Sequence, residues 1–151
     1  MKYWLQSGLT VGILSILTVE RFVFIARHLL MPTVPFSPES APQEITVQAL
    51  AQILQAAPPD LQLIDVREPW EVETAAIEGF ANLPLSQFAD WETQIYQQFA
   101  PETETIVMCH HGIRSAQMCQ WLRGQGFTQV KNLAGGIDAY SKAVDPTVPR
   151  Y

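Results

Sequence analysis

Cysteine is scarce in this chain: Cys109 and Cys119 are the only two in 151 residues, too few for a disulfide framework. A thiol kept free for work suits a reducing compartment. Basic residues are few as well, nine Lys and Arg against fifteen Asp and Glu, for a net charge of −6. The shortage is uneven, since residues 1–31 carry +2 and the remainder −8. An acidic domain without a basic stripe argues against nucleic acid as a partner. Charged residues amount to 16% and hydrophobic ones to 48%, which argues against a disordered chain and allows one domain of ordinary size plus an extension. His110 and His111 are neighbours, adjacent side chains rarely converge on one ion, and no second ligand cluster is visible, so no metal is expected. No cofactor is expected either.

Long apolar runs are lacking everywhere except the start. Tyr3 to Val19 has no charge, Leu9 to Val19 is strongly apolar, and Phe22 to Ala26 resumes after Glu20-Arg21. A bilayer span needs about 20 apolar residues, with ~17 as the lower limit. Residues 1–31 are therefore expected to be a hydrophobic segment forming a transmembrane helix, with membrane association through residues 3–26. Arg21 and Arg27 outnumber Lys2, and the positive-inside rule then puts the catalytic domain in the cytoplasm. A cleaved secretory signal competes, although no small-x-small site follows. So does a helix packed on a partner, which would leave a soluble cytoplasmic protein. Residues 32–43, with Pro32, Pro35, Pro38 and Pro42, read as an extended linker, and 44–151 as the folded domain.

From Ile45 the pattern alternates. Thr46 caps a helix through Ala57, with Val47, Leu50 and Leu54 on one face. Leu61 to Val66 reads as a buried strand. Pro69 suits the first turn of a short helix through Ala76. Ala81 to Leu83 is a brief strand, and Ser86 is expected to cap a helix from Gln87 to Phe99, with Phe88, Trp91, Ile95 and Phe99 inward. Thr105 to Met108 is a strand and Ser115 to Arg123 a helix with Met118, Cys119 and Leu122 inward. Val130 to Leu133 is a strand and Ile137 to Val144 a last helix. Strands alternating with helices predict an α/β fold, a mostly parallel sheet covered on both faces.

The stretch Val107-Met108-Cys109-His110-His111-Gly112-Ile113-Arg114-Ser115 carries the chemistry. Cys109 stands where a strand ends, and a six-residue loop from Cys109 to Arg114 leads to a helix opened by Ser115. The amides of such a loop and of the helix start make a cavity that favours negative charge, and so a thiolate. Gly112 supplies a position free to take φ > 0. Cys109 is the candidate nucleophile. Arg114 either pairs with an anionic donor or ties the loop to a carboxylate such as Glu71. His110 and His111 stand at the rim, where they orient a substrate or, if protonated, favour the thiolate. Cys119 reads as a helix-face packing residue, with a resolving thiol as the alternative.

The loop resembles the rhodanese family, whose active loop has the form Cys-x-x-Gly-x-Arg followed by Ser or Thr. Leu63-Ile64-Asp65-Val66-Arg67 followed by Glu71 is similar to that family's Asp-Val-Arg strand end. Ile77-Glu78-Gly79-Phe80-Ala81-Asn82-Leu83-Pro84 is similar to its Gly-Ala-x-Asn-Ile-Pro stretch, and Leu133 to Tyr140 to its Gly-Gly-x-x-x-Trp close. Two departures stand out: no His and Pro precede Gly79, and Tyr140 replaces the usual Trp. The resemblance implies a five-stranded sheet and a sulfurtransferase. Its Cys109 would take a sulfane sulfur from thiosulfate or a related donor and pass it, as a persulfide, to cyanide or a thiol. His110, His111, Gly112, Ile113, Arg114 and Ser115 would form the active loop. Asp65 and Arg67 would support it, with an Asp–Arg pair that merely fixes the next turn as the competing role. Donor and acceptor would be small molecules, with a protein persulfide as an alternative partner. Two other classes compete: a non-catalytic binding or regulatory module of the same family, and a cysteine phosphatase or arsenate reductase. Members of the first commonly lack the cysteine. The second use Cys-x₅-Arg loops, whereas Cys109 and Arg114 make a Cys-x₄-Arg loop and a smaller cavity.

Overall fold

The computed structural model describes residues 41–151. Five strands form one sheet: β1 Gln43–Ile45, β2 Gln62–Asp65, β3 Ala81–Asn82, β4 Thr105–Met108 and β5 Val130–Leu133. The order is β1-β5-β4-β2-β3 and every pairing is parallel. Helices α1 Val47–Ala56, α2 Pro69–Thr74, α3 Phe88–Trp91, α4 Ile95–Gln98, α5 Ile113–Gly124 and α6 Gly136–Ala143 connect and cover it.

Strand β4 is buried along its whole length, so its alternate side chains build two cores. Val107 and Cys109 join Ile64, Trp91, Ile95, Phe99, Cys119 and Leu122 on the face covered by α3, α4 and α5. Ile106 and Met108 join Leu50, Leu63, Leu133, Ile137 and Tyr140 on the face covered by α1 and α6. From β4 the chain proceeds to β5 on one side, and from β2 to β3 on the other. The gap beyond the carboxyl ends of β4 and β2 is therefore a topological switch point, where α/β sheets bind ligands. Cys109 follows β4 directly, and Arg67 lies just past β2.

Several boundaries differ from expectation. Gln43, assigned above to the linker, starts β1, which pairs with β5 in register Gln43 with Lys131. Helix α5 begins at Ile113 with Gly112 as its N-cap, so the loop is shorter than expected, and Arg114 and Ser115 lie in the first helical turn. The single helix expected from Gln87 to Phe99 is broken into α3 and α4 by a 3₁₀ turn at Glu92–Gln94, and a second 3₁₀ turn, Leu85–Gln87, leads into it. Ser86 does not cap it. Its hydroxyl donates to Glu68 Oε2 at 2.5 Å, while the Trp91 indole N–H ties the segment to the Pro84 carbonyl at 3.0 Å.

The expected transmembrane helix and membrane-anchored location are corrected. Among the described residues no helix is long and apolar enough to cross a membrane. The longest, α5, has 12 residues, against about 20 for a span. The hydrophobic segment 1–31 and its expected association through residues 3–26 lie outside the described residues.

Candidate active site

Cys109 is 1% exposed. The Gly112 amide donates to its Sγ at 3.1 Å. Gly112 has φ +92°, and a Cβ there would stand 3.1 Å from the Leu133 carbonyl oxygen and 3.2 Å from the Gly135 nitrogen, so only glycine fits. The first hydrogen bond of α5 runs from Ala116 N–H to the Gly112 carbonyl. The amides of Ile113, Arg114 and Ser115 precede it and are the orphan donors of a helix N-terminus.

The loop's carbonyls are turned the other way. Ile137 N–H donates to the Cys109 carbonyl at 3.0 Å and Asp138 N–H to the His110 carbonyl at 3.2 Å. Gly136 lets the backbones approach: a Cβ at its φ of +61° would lie 2.6 Å from the His110 carbonyl carbon. The start of α6 thus holds the acceptor side of the loop and leaves the donor side to the thiol.

Ser115 is fully buried. Its Oγ lies 3.3 Å from Cys109 Sγ and 2.6 Å from Asn132 Oδ1. A hydroxyl has one hydrogen, and the shorter contact with an acceptor-only oxygen directs it to Asn132. The Asn132 amide nitrogen in turn faces Glu44 Oε1 at 3.5 Å.

Arg114 makes a bidentate pair with Glu71, Nη1 to Oε2 at 2.6 Å and Nη2 to Oε1 at 2.7 Å. The guanidinium is the largest influence on Glu71 and outweighs the opposing effect of burial, holding its pKa down at about 2. Of the two roles considered for Arg114, the geometry shows the tie to Glu71. Arg67 is completely buried. It pairs with Asp65, Nη2 to Oδ2 at 2.6 Å, and its Nη atoms also donate to the Glu71 and Ala75 carbonyls at 3.2 and 2.8 Å. Burial opposes its charge, but Asp65 and Tyr151 outweigh burial and the pKa is raised. Asp65 and Arg67 thus fix the α2 backbone that carries Glu71, whose carboxylate holds Arg114.

His110 is half-buried and His111 exposed, with ring centroids 4.1 Å apart in a stack. Burial, with His111 adding to it, pushes the His110 pKa down, so a protonated imidazole beside the thiol is not its role at neutral pH. His111 Nδ1 lies 3.7 Å from Asp138 Oδ2. Ile113 is 71% exposed on the rim. Cys119 packs in the core, where burial pushes its thiol up to about 12.

Gly136, expected with Gly135 to serve turn geometry and close backbone approach, does so against the loop, while Asn132, Asp138 and Tyr151 complete the surroundings without having been singled out for them. Asn132 left a trace in the sequence, as a polar residue on the inward side of an apolar strand. Tyr151 left none.

Similar proteins fit this geometry. The family model described as a rhodanese-like domain matches residues 46–143. Over 92 residues the chain is 50% identical to the rhodanese-like/PpiC domain-containing protein 12 of Arabidopsis thaliana, covering 61% of this chain but only 31% of that longer protein. A sulfurtransferase of Allochromatium vinosum is 32% identical over 105 residues, 70% of this chain and 94% of that one. Among solved structures, a rhodanese-like domain protein from Staphylococcus aureus matches with a TM-score of 0.56 at 26% identity, over 65% of this chain and 90% of its own.

Proposed function

The chain belongs to the rhodanese-like family, and from that premise we propose that it transfers sulfane sulfur through a persulfide on Cys109. The observation that carries this reading is the orientation of the loop: the Gly112 N–H meets Sγ at 3.1 Å, while α6 amides draw the Cys109 and His110 carbonyls away. Such a cradle stabilises an anion at its centre without reorganising during reaction.

We take thiosulfate as the donor, an anion carrying a transferable sulfane sulfur, which a cradle of backbone amides favours. The Cys109 thiolate attacks the outer sulfur, a new S–S bond forms, and the donor's S–S bond breaks with its electron pair leaving on sulfite. The persulfide left on Cys109 carries its charge on the added sulfur, an anion that the amides of the loop and of the α5 start would favour. In the second half, cyanide or a thiol attacks that outer sulfur. The Cys109 S–S bond breaks, its electrons return to Sγ, and thiocyanate or an acceptor persulfide leaves. Neither half requires a general base once the thiol is ionised.

Intact-mass spectrometry tests the proposal. Wild-type protein incubated with thiosulfate should gain the mass of one sulfur atom, cyanide should remove it, and Cys109→Ser should gain nothing. Wild type that takes up no sulfur from thiosulfate or from a small-molecule persulfide, while the fold is intact, would refute it.

A further inference from the structure

Residues 144–151 lie beyond the stretch that matches the family, yet they reach the mouth of the active loop. The segment is fixed back on the domain. Thr147 donates twice to Asp145 Oδ1, through N–H at 3.0 Å and Oγ–H at 2.6 Å. Val148 is buried, and its carbonyl accepts the Ser141 hydroxyl at 2.6 Å.

This arrangement delivers Tyr151 to three parts of the site at once. Its phenol accepts from Arg67 Nη1 at 2.8 Å and donates to Glu71 Oε1 at 3.1 Å, the oxygen that also binds Arg114. Burial pushes the phenol's pKa up, so it stays a donor at neutral pH. Its ring stacks on His110 with centroids 4.3 Å apart and 25° between planes. Trp70, itself 61% exposed, meets the same ring edge-on at 6.0 Å. The side chain next to the nucleophile, the carboxylate that clamps the loop arginine and the buried Arg67 all share this one partner.

We propose that Tyr151 is a positioning residue that sets which reactants reach Cys109: with Trp70 and His110 it forms a wall that admits compact donors and holds back bulky ones. Cys109 is 1% exposed, so any reagent must displace part of its cover; His110 follows Cys109 directly, and Tyr151, outside the family match, stacks on it. The assignment rests on Cys109 being the reactive thiol of the function proposed above, but not on which sulfur compound it uses.

Alkylation of the native protein reads access without sulfur chemistry. Rates at Cys109 with iodoacetamide and with a polyethylene glycol maleimide, located by peptide mass and normalised to the denatured chain, give a size-selectivity ratio. In Tyr151→Ala the bulky reagent should gain about tenfold on the small one, the fold-change equivalent to a lost aromatic pair. Tyr151→Phe keeps the stack and should restore most of the wild-type ratio. If Tyr151→Ala unfolds, Tyr151→Leu, which keeps apolar bulk without the stack, carries the same expectation. A folded variant with an unchanged ratio overturns the assignment. Failure of sulfur uptake with the ratio change present would overturn the proposed function instead.

Discussion

Replacing Gly136 by alanine places one methyl group against the backbone of the active loop. At φ +61° an L-residue carries about 1–2 kcal/mol of left-handed strain. The new Cβ would lie well inside contact distance of the Cys109 and His110 carbonyl oxygens, and backbone cannot rotate away as a side-chain tip can. The loop and the start of α6 must part, which weakens the bonds from Ile137 and Asp138 N–H, now 3.0 and 3.2 Å, each worth about 0.5–1.5 kcal/mol. The expected loss of stability is therefore about 3 kcal/mol by urea unfolding. A shift of roughly 1 Å in the cradle should cost on the order of 100-fold in the rate of Cys109 persulfidation. Two other glycines separate the contributions. Gly126→Ala has φ +93° but open space, so it should show only the backbone strain and an unchanged rate. Gly124→Ala, helical and uncrowded, should be neutral or stabilising by about 0.4–1 kcal/mol. Gly136→Ala with the unfolding midpoint and sulfuration rate of Gly126→Ala would refute the idea that α6 sets the loop.

The Glu71–Arg114 pair predicts an acid limb. The folded-state pKa of Glu71, about 2, lies below its ordinary 4.5, so the unfolded chain binds more protons in between. The pair's contribution is complete above pH 4.5 and lost as pH falls towards 2. Glu71→Gln should lower stability by roughly 2 kcal/mol at neutral pH, allowing for solvent at Arg114, and flatten the pH dependence of urea unfolding in that window; an unaltered slope would contradict the assignment. Cys119, with its thiol pushed up to about 12 by burial, should resist iodoacetamide at pH 8 until denaturant is added. Peptide mapping that finds it labelled as fast in the native state as in the unfolded one would show that its core position is wrong.

Local pattern revealed what local forces decide. Cys109, Gly112 and the continuous apolar run of β4 are visible because strand burial and a glycine turn leave residue type in the sequence. The apolar residues Phe88, Trp91, Ile95 and Phe99 showed which face turns inward, and Trp91, Ile95 and Phe99 are indeed buried. Spacings of three and four suit 3₁₀ turns as well as a continuous helix, however, so the breaks around Glu92 were not legible. Strand β1 is three residues long, too short to register an alternation, and it exists because β5 offers an edge. The Arg114–Glu71 tie was among the roles expected for Arg114, but the other clamps are long-range: Tyr151 meets Glu71 and Ser115 meets Asn132 across separations where spacing says nothing about who touches whom. The membrane expectation rested on residues 1–31, outside the described residues, and among the described residues no helix is long and apolar enough to cross a membrane.

The hold of Gly136, Ile137 and Asp138 on the loop carbonyls has a practical corollary. Grafting Cys109–Ser115 alone into another parallel-sheet scaffold would carry over the thiol but not its environment, because nothing would pull the carbonyls back. The transferable module is the loop plus the turn from Leu133 to Asp138, two pieces far apart in sequence that must travel together.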